Sequence, residues 1–246
     1  MKNFTLFFFL ILFFLPSVSF AQYYVKLQGG YNLGINPREL GENQTFSSGM
    51  DSYEIVSGSF GEGANFTGAF GYDFCSNLGL EIDLIYKLST EYEIFLQDGN
   101  APYNHTRTWK GSFFAFAPTF VVNAPMNKIK VFAKLGLLIP LPALEINIDY
   151  NDGTSEMGIF SGGFDFGLSG GAGVLVPLSS NINFLAEIDF ISYTWKPGEI
   201  EVTEYDGTTE TILLQDEYTS DDENTQGSVF IPFSNVGLNV GVQIGI

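Results

Sequence analysis

Phe233-Ser-Asn-Val-Gly-Leu-Asn-Val-Gly-Val-Gln-Ile-Gly-Ile246 is the stretch that decides the fold. Val236, Leu238, Val240, Val242, Ile244 and Ile246 occupy even positions, and Gly237, Asn239, Gly241, Gln243 and Gly245 the odd ones. Side chains alternate across a strand, so one face is wholly aliphatic and the other is glycine or amide. No charge interrupts either face. In water such an edge would template aggregation. The pattern suits a strand that closes a barrel and turns its aliphatic face to lipid.

Working outward, the same period of two recurs along the chain. Tyr23, Val25, Leu27, Tyr31 and Leu33 oppose Lys26, Gln28 and Asn32. Ala64, Phe66, Phe70, Tyr72 and Phe74 oppose Asn65, Thr67, Ala69, Gly71 and Asp73. After Cys75-Ser-Asn77 come Leu78, Leu80, Ile82, Leu84, Tyr86 and Leu88, opposite Glu81, Asp83 and Lys87, so these two segments form a tight hairpin. A fourth strand, near Arg107 to Val122, is apolar on both faces around Phe113-Phe-Ala-Phe116. A fifth sets Ile129, Val131, Ala133, Leu135 and Leu137 against Lys130, Lys134 and Gly136, and Pro140 and Pro142 are expected to begin a loop. A sixth places Phe164, Phe166, Leu168, Ala172, Val174 and Val176 opposite Asp165, Gly167, Ser169, Gly171 and Gly173. A seventh sets Ile182, Phe184, Ala186, Ile188 and Phe190 against Asn183, Glu187 and Asp189.

The expected fold is all-β: an eight-stranded antiparallel transmembrane β-barrel with short periplasmic turns and long extracellular loops. Soluble barrels share that alternation of loops and turns. The small size of the non-apolar face and the ten-residue continuity of the apolar one favour the membrane. Tyr23, Tyr86, Trp109, Tyr193 and Trp195 lie near strand ends and are expected as interface aromatics.

Composition narrows the function. Charged residues are 15% of the 246, with 28 Gly, 25 Phe and a net charge of -18. That balance has no basic footprint for phosphates, so nucleic acid is excluded as a partner. Lone Cys75 has no internal partner for a disulfide and cannot build a thiolate cluster. At the N-terminus, Lys2 precedes the apolar run Phe4 to Leu15, and Ser19 and Ala21 stand at the -3 and -1 positions of a cleavage site. We expect residues 1–21 to be a cleaved signal peptide and 22–246 the outer-membrane barrel domain.

Gly79-Leu-Glu-Ile-Asp-Leu-Ile-Tyr-Lys87, Asp165-Phe-Gly-Leu-Ser-Gly-Gly-Ala-Gly173 through Ile182-Asn-Phe-Leu-Ala-Glu187, and Val236-Gly-Leu-Asn-Val-Gly-Val242 resemble the PorT-like outer membrane β-barrel domain family. The resemblance implies a small Gram-negative outer-membrane barrel, at home in the cell outer membrane. It also implies handling by the barrel assembly machinery through the C-terminal strand. Many such barrels end in an aromatic residue; this chain ends in Ile246.

Lys26, Glu81, Asp83, Lys87, Lys130, Lys134, Asp165, Glu187 and Asp189 are expected to form a polar network in the lumen. Buried charges need partners, so the network should plug the barrel, and a narrow path for small solutes is the competing expectation. The fourth loop, Pro197 to Gln226, is acidic, and Asp221, Asp222 and Glu223 are weak candidates for Ca²⁺. Their spacing matches no defined calcium loop, so no metal and no cofactor is assigned. His105, near Asp98 and Arg107, would be the base of a rim hydrolase. Asn43-Gln-Thr45, Asn65-Phe-Thr67 and Asn104-His-Thr106 match the glycosylation triplet. The function expected first is a non-enzymatic, loop-presenting membrane scaffold in contact with lipid and with an extracellular or envelope protein partner. A porin-like narrow pore comes second, the hydrolase third.

Overall fold

The computed structural model describes residues 22–47, 50–96, 104–204, 206–215 and 225–246. The expected signal peptide, 1–21, lies outside the described residues. Eight strands close into a barrel: β1 (Gln22–Gly34), β2 (Gly63–Cys75), β3 (Leu78–Ser89), β4 (His105–Met126), β5 (Ile129–Tyr150), β6 (Gly167–Pro177), β7 (Ile182–Ser192) and β8 (Asn235–Gly245). Every neighbour is antiparallel, and β8 closes the ring by pairing with both β7 and β1. Tyr24 faces Gly245 and Gly34 faces Asn235 across that closing seam. No helix is present among the described residues; closure, not helix formation, satisfies the backbone.

The alternation read from the sequence fixes the two faces. Leu238 is 61% exposed on β8, and Leu27, Phe66, Leu84, Leu135 and Ile188 point outward with it. At the turn end Tyr23, Phe70, Tyr72 and Phe74 form a ladder of rings, with Tyr23 and Tyr72 centroids 4.8 Å apart. An eleven-residue strand is about 37 Å long, and a 40° tilt gives it roughly 28 Å of height, the thickness of a hydrocarbon core.

Two strands outgrow the bilayer. β4 and β5 each run 22 residues, so Pro140 and Pro142 stand within β5 instead of opening a loop. The reason is local. Residues 139–143 pair with β4 alone, because β6 stops at Leu138 and the next partner begins at Leu144. Proline's missing N–H therefore falls where one edge of the strand has no neighbour.

The regions expected as loops are largely sheet. Beyond β4 the wall continues through Tyr92–Leu96, Arg38–Ser47 and Met50–Gly58; beyond β5 it continues through Ser155–Ser161, Glu199–Thr203, Thr209–Gln215 and Thr225–Gly227. These segments form one sheet with the barrel and raise its long-loop side into a wall.

Candidate functional site

The inward face carries the chemistry. Along β5 it reads Lys130, Phe132, Lys134, Gly136, Leu138, and along β7 Leu185, Glu187, Asp189, Ile191. Both run from the turn end upward through a polar mouth or apolar collar, then charge, then an apolar lid.

At the mouth, Lys130 pairs with Asp73 at 2.8 Å, and Asn123 donates to the other Asp73 oxygen at 3.0 Å. Above it, Val121, Phe132, Leu175 and Leu185 form a buried apolar collar. Next comes the ionic layer, whose hub is Lys134. Its ammonium lies 2.9 Å from Asp83, 2.9 Å from Glu187 and 3.3 Å from Glu81. Glu81 is also bound by Lys26 and accepts a hydrogen bond from the Tyr24 hydroxyl at 3.0 Å. Lys26 further lies over the Phe132 ring, 4.6 Å from its centroid. Toward β8 and β1, Lys87 donates to Asn235 at 2.7 Å and sits 3.6 Å from Asp189, while Asn32 donates to Asn235 and Asn65 to Asn239.

Glycine makes room for this layer. A Cβ on Gly71 would stand 2.1 Å from the Tyr24 ring, and one on Gly171 would stand 2.6 Å from a Glu187 oxygen. Small residues on the inner face are thus the space that the long polar side chains fill.

The lid is aromatic. Phe60, Phe113, Tyr193, Trp195 and Phe233 are buried together with Ile85, Leu138, Leu144 and Ile191. Ser59 to Glu62 turns back into the barrel: Phe60 donates its N–H to the Pro232 carbonyl at 2.8 Å, and the Ser59 hydroxyl donates to the Ser234 carbonyl at 2.9 Å. Phe233 meets Phe113 edge-on at 5.5 Å.

The expected sites therefore divide. Lys26, Glu81, Asp83, Lys87, Lys134, Glu187 and Asp189 are brought together in the lumen, and Lys130 stands at its mouth. Asp165 does not join them. Gly162 and Gly163 take left-handed φ of 69° and 71°, β6 starts only at Gly167, and Asp165 is exposed outside the barrel. Tyr23 and Tyr86 face outward. Tyr193 and Trp195, 3% and 1% exposed, instead fill the lid, because their odd positions continue the inward face of β7. Trp109 likewise turns inward, its ring 6.2 Å from both Phe60 and Phe160.

Asp73, Asn235, Asn239 and Asn32 complete the network and were not among the expected residues. Their inward parity was the available signal. Asn65 is buried here, which leaves its glycosylation triplet no access to a modifying enzyme. His105 opens β4 with its ring 5.4 Å from that of Tyr150. Asp98 and the calcium candidates Asp221, Asp222 and Glu223 lie outside the described residues.

A family model described as outer membrane protein beta-barrel domain matches residues 7–243. Among solved structures, a major outer membrane protein from Thermus thermophilus matches with a TM-score of 0.55 at 9% identity, covering 92% of this chain and 100% of that one. The outer membrane protein OprG from Pseudomonas aeruginosa gives 0.49 at 9% identity, over 92% of this chain and 96% of that one. Neisserial surface protein A gives 0.39 at 12% identity, over 91% of this chain and 97% of that one. No curated protein sequence matches the chain.

Proposed function

Because the chain belongs to the outer membrane protein β-barrel domain family, and so resides in the outer membrane, we propose that it is a non-conducting, non-enzymatic scaffold that raises a sheet wall above the bilayer. The observation that carries this is the filling of the lumen. Between the apolar collar and the aromatic lid, the polar cavity beside Lys134 measures about 10 Å³, at the lower limit for a single water. An eight-stranded barrel is wide enough only for its own side chains, and here those side chains interlock. The non-enzymatic part is supported by the ionic layer, whose buried Lys134, Glu81, Asp83 and Glu187 lie sealed in the lumen away from any substrate.

Within the family we place the chain nearest the PorT-like group, on the strand sequences of β3, β6, β7 and β8. Its partners are outer-membrane lipid along the apolar band, the assembly machinery at β8, and an envelope or extracellular protein at the wall.

Single-channel recording in planar bilayers tests the proposal. The refolded mature chain should give no steps above the empty-bilayer baseline. Stable, reproducible steps would replace the scaffold with a narrow pore.

A further inference from the structure

The buried charges of the lumen do not balance. Above the Asp73–Lys130 pair, the buried charged residues among the described ones are Lys26, Lys87 and Lys134 against Glu81, Asp83, Glu187 and Asp189. Three cations face four carboxylates. An uncompensated buried charge is among the costliest things a fold can hold.

The surplus has an address. The cavity beside Lys134 is lined by Gln28, Thr67, Asp83, Ser169, Glu187 and Asp189 among others. Oxygens of five of these residues are buried without a hydrogen-bond partner: Gln28 Oε1, Asp83 Oδ1, Ser169 Oγ, Glu187 Oε2 and Asp189 Oδ1. Gln28 and Ser169 are 9% and 5% exposed, so neutral side chains on β1 and β6 contribute alongside the acids of β3 and β7. Four of the five atoms can only accept, and the fifth can accept. A set of acceptors with one negative charge too many calls for a cation. No three His, Cys, Asp or Glu side chains among the described residues are placed to share a metal ion, so a cation here would rest on one or two carboxylates together with Gln28 and Ser169. The charge count asks for one unit only.

We infer that this cavity holds one positive charge that the chain does not supply, carried either by a sodium-sized monovalent cation or by a proton shared among these oxygens. Either source leaves a stoichiometric mark on folding, since what binds only the native barrel stabilises it by mass action.

The test uses the mature chain in detergent micelles and its reversible unfolding in urea. Sodium chloride is exchanged for choline chloride at constant ionic strength, and pH is varied separately in choline. A sodium ion predicts that the folding constant rises about tenfold per tenfold rise in sodium once the site is saturating. A proton predicts no sodium response and a folding constant that falls about tenfold per pH unit from the ordinary carboxylate titration near pH 4 upward, levelling off where the native barrel itself gives the proton up. The charged groups lining the cavity are Asp83, Lys134, Glu187 and Asp189; Glu81 with Lys26 stands behind Lys134, and Lys87 stands behind Asp189. Glu187→Gln removes the surplus charge while Lys134 keeps Asp83 and Glu81, so the response of either kind should vanish. Ser169→Ala keeps the charge count; it should weaken a sodium response and leave a proton response intact. A wild-type barrel flat to both sodium and pH, or a response that survives Glu187→Gln unchanged, overturns the inference.

Discussion

Replacing Lys134 by methionine probes whether the lumen is dry. The change keeps the side-chain stem and removes only the ammonium, which is 5% exposed and contacts Asp83, Glu187 and Glu81. Glu81 keeps Lys26, but Asp83 and Glu187 have no other ion pair among the described residues. Two buried carboxylates are therefore orphaned by one substitution. Breaking one buried pair from one side costs about 3–5 kcal/mol, and we expect Lys134→Met at or above the upper end of that range. With a urea slope of roughly 3 kcal/mol per molar, a loss of about 5 kcal/mol moves the midpoint down by about 1.7 M. Unfolding followed by tryptophan fluorescence, with boiled and unboiled gel mobility as a second probe, reads the shift. Asp83→Asn in the same background should return part of it, a coupling of roughly 1–3 kcal/mol in the double-mutant cycle. A Lys134→Met barrel within about 1 kcal/mol of wild type would mean that water screens the layer, and the sealed-lumen reasoning would fall.

Other consequences are checked with the same unfolding assay or with spectroscopy. Phe233→Ala, at a fully buried ring packed on Phe60, Phe113, Tyr193 and Trp195, should cost about 3–5 kcal/mol. Val240→Arg places a charge midway along the lipid-facing side of β8; it should cost about 2–4 kcal/mol in lipid, and a neutral outcome would contradict the assigned face. Gly71→Ala should destabilise by about 1–3 kcal/mol, with much of the loss relieved by Tyr24→Ala. On the wall, the Thr154 N–H and hydroxyl both donate to Asp152, and those of Thr208 hold Asp206 similarly, so both carboxyls lie below the usual aspartate range. A depressed acid stabilises above its unfolded titration and loses that contribution as pH falls through its folded one. Carboxyl NMR should therefore show Asp152 holding its charge further into acid than an ordinary aspartate, and Thr154→Val should return it toward normal while Asp206 stays put.

The strand faces were legible because lipid and lumen differ in polarity, and a period of two separates them wherever they do. Legibility failed where both sides are apolar. Phe113 points into the lid and Phe114 into lipid, and hydropathy has no means to tell one destination from the other. The same ambiguity caught Trp109, Tyr193 and Trp195. An aromatic near a strand end belongs to a girdle if outward and to a lid if inward, and only parity carried past the strand's end distinguishes them. Asp165 failed differently. Its parity was right, but two glycines with positive φ break the strand before parity can place it. The partners that complete the ionic layer, Asn235 to Lys87 or Asn123 to Asp73, join residues far apart in sequence, so only register brings them together.

The length of β4 and β5 has one more consequence. A strand of 22 residues extends about 75 Å, and at the tilt of a barrel strand it rises roughly 55–60 Å, leaving roughly half its height above the hydrocarbon. That upper half is a spacer of hydrogen-bonded sheet. Its tip at Asn151 can accept insertions or new sequence with no effect on the register that closes the ring at Gly34 and Asn235. Sequence can change at that tip while the half that must assemble in lipid is left unchanged.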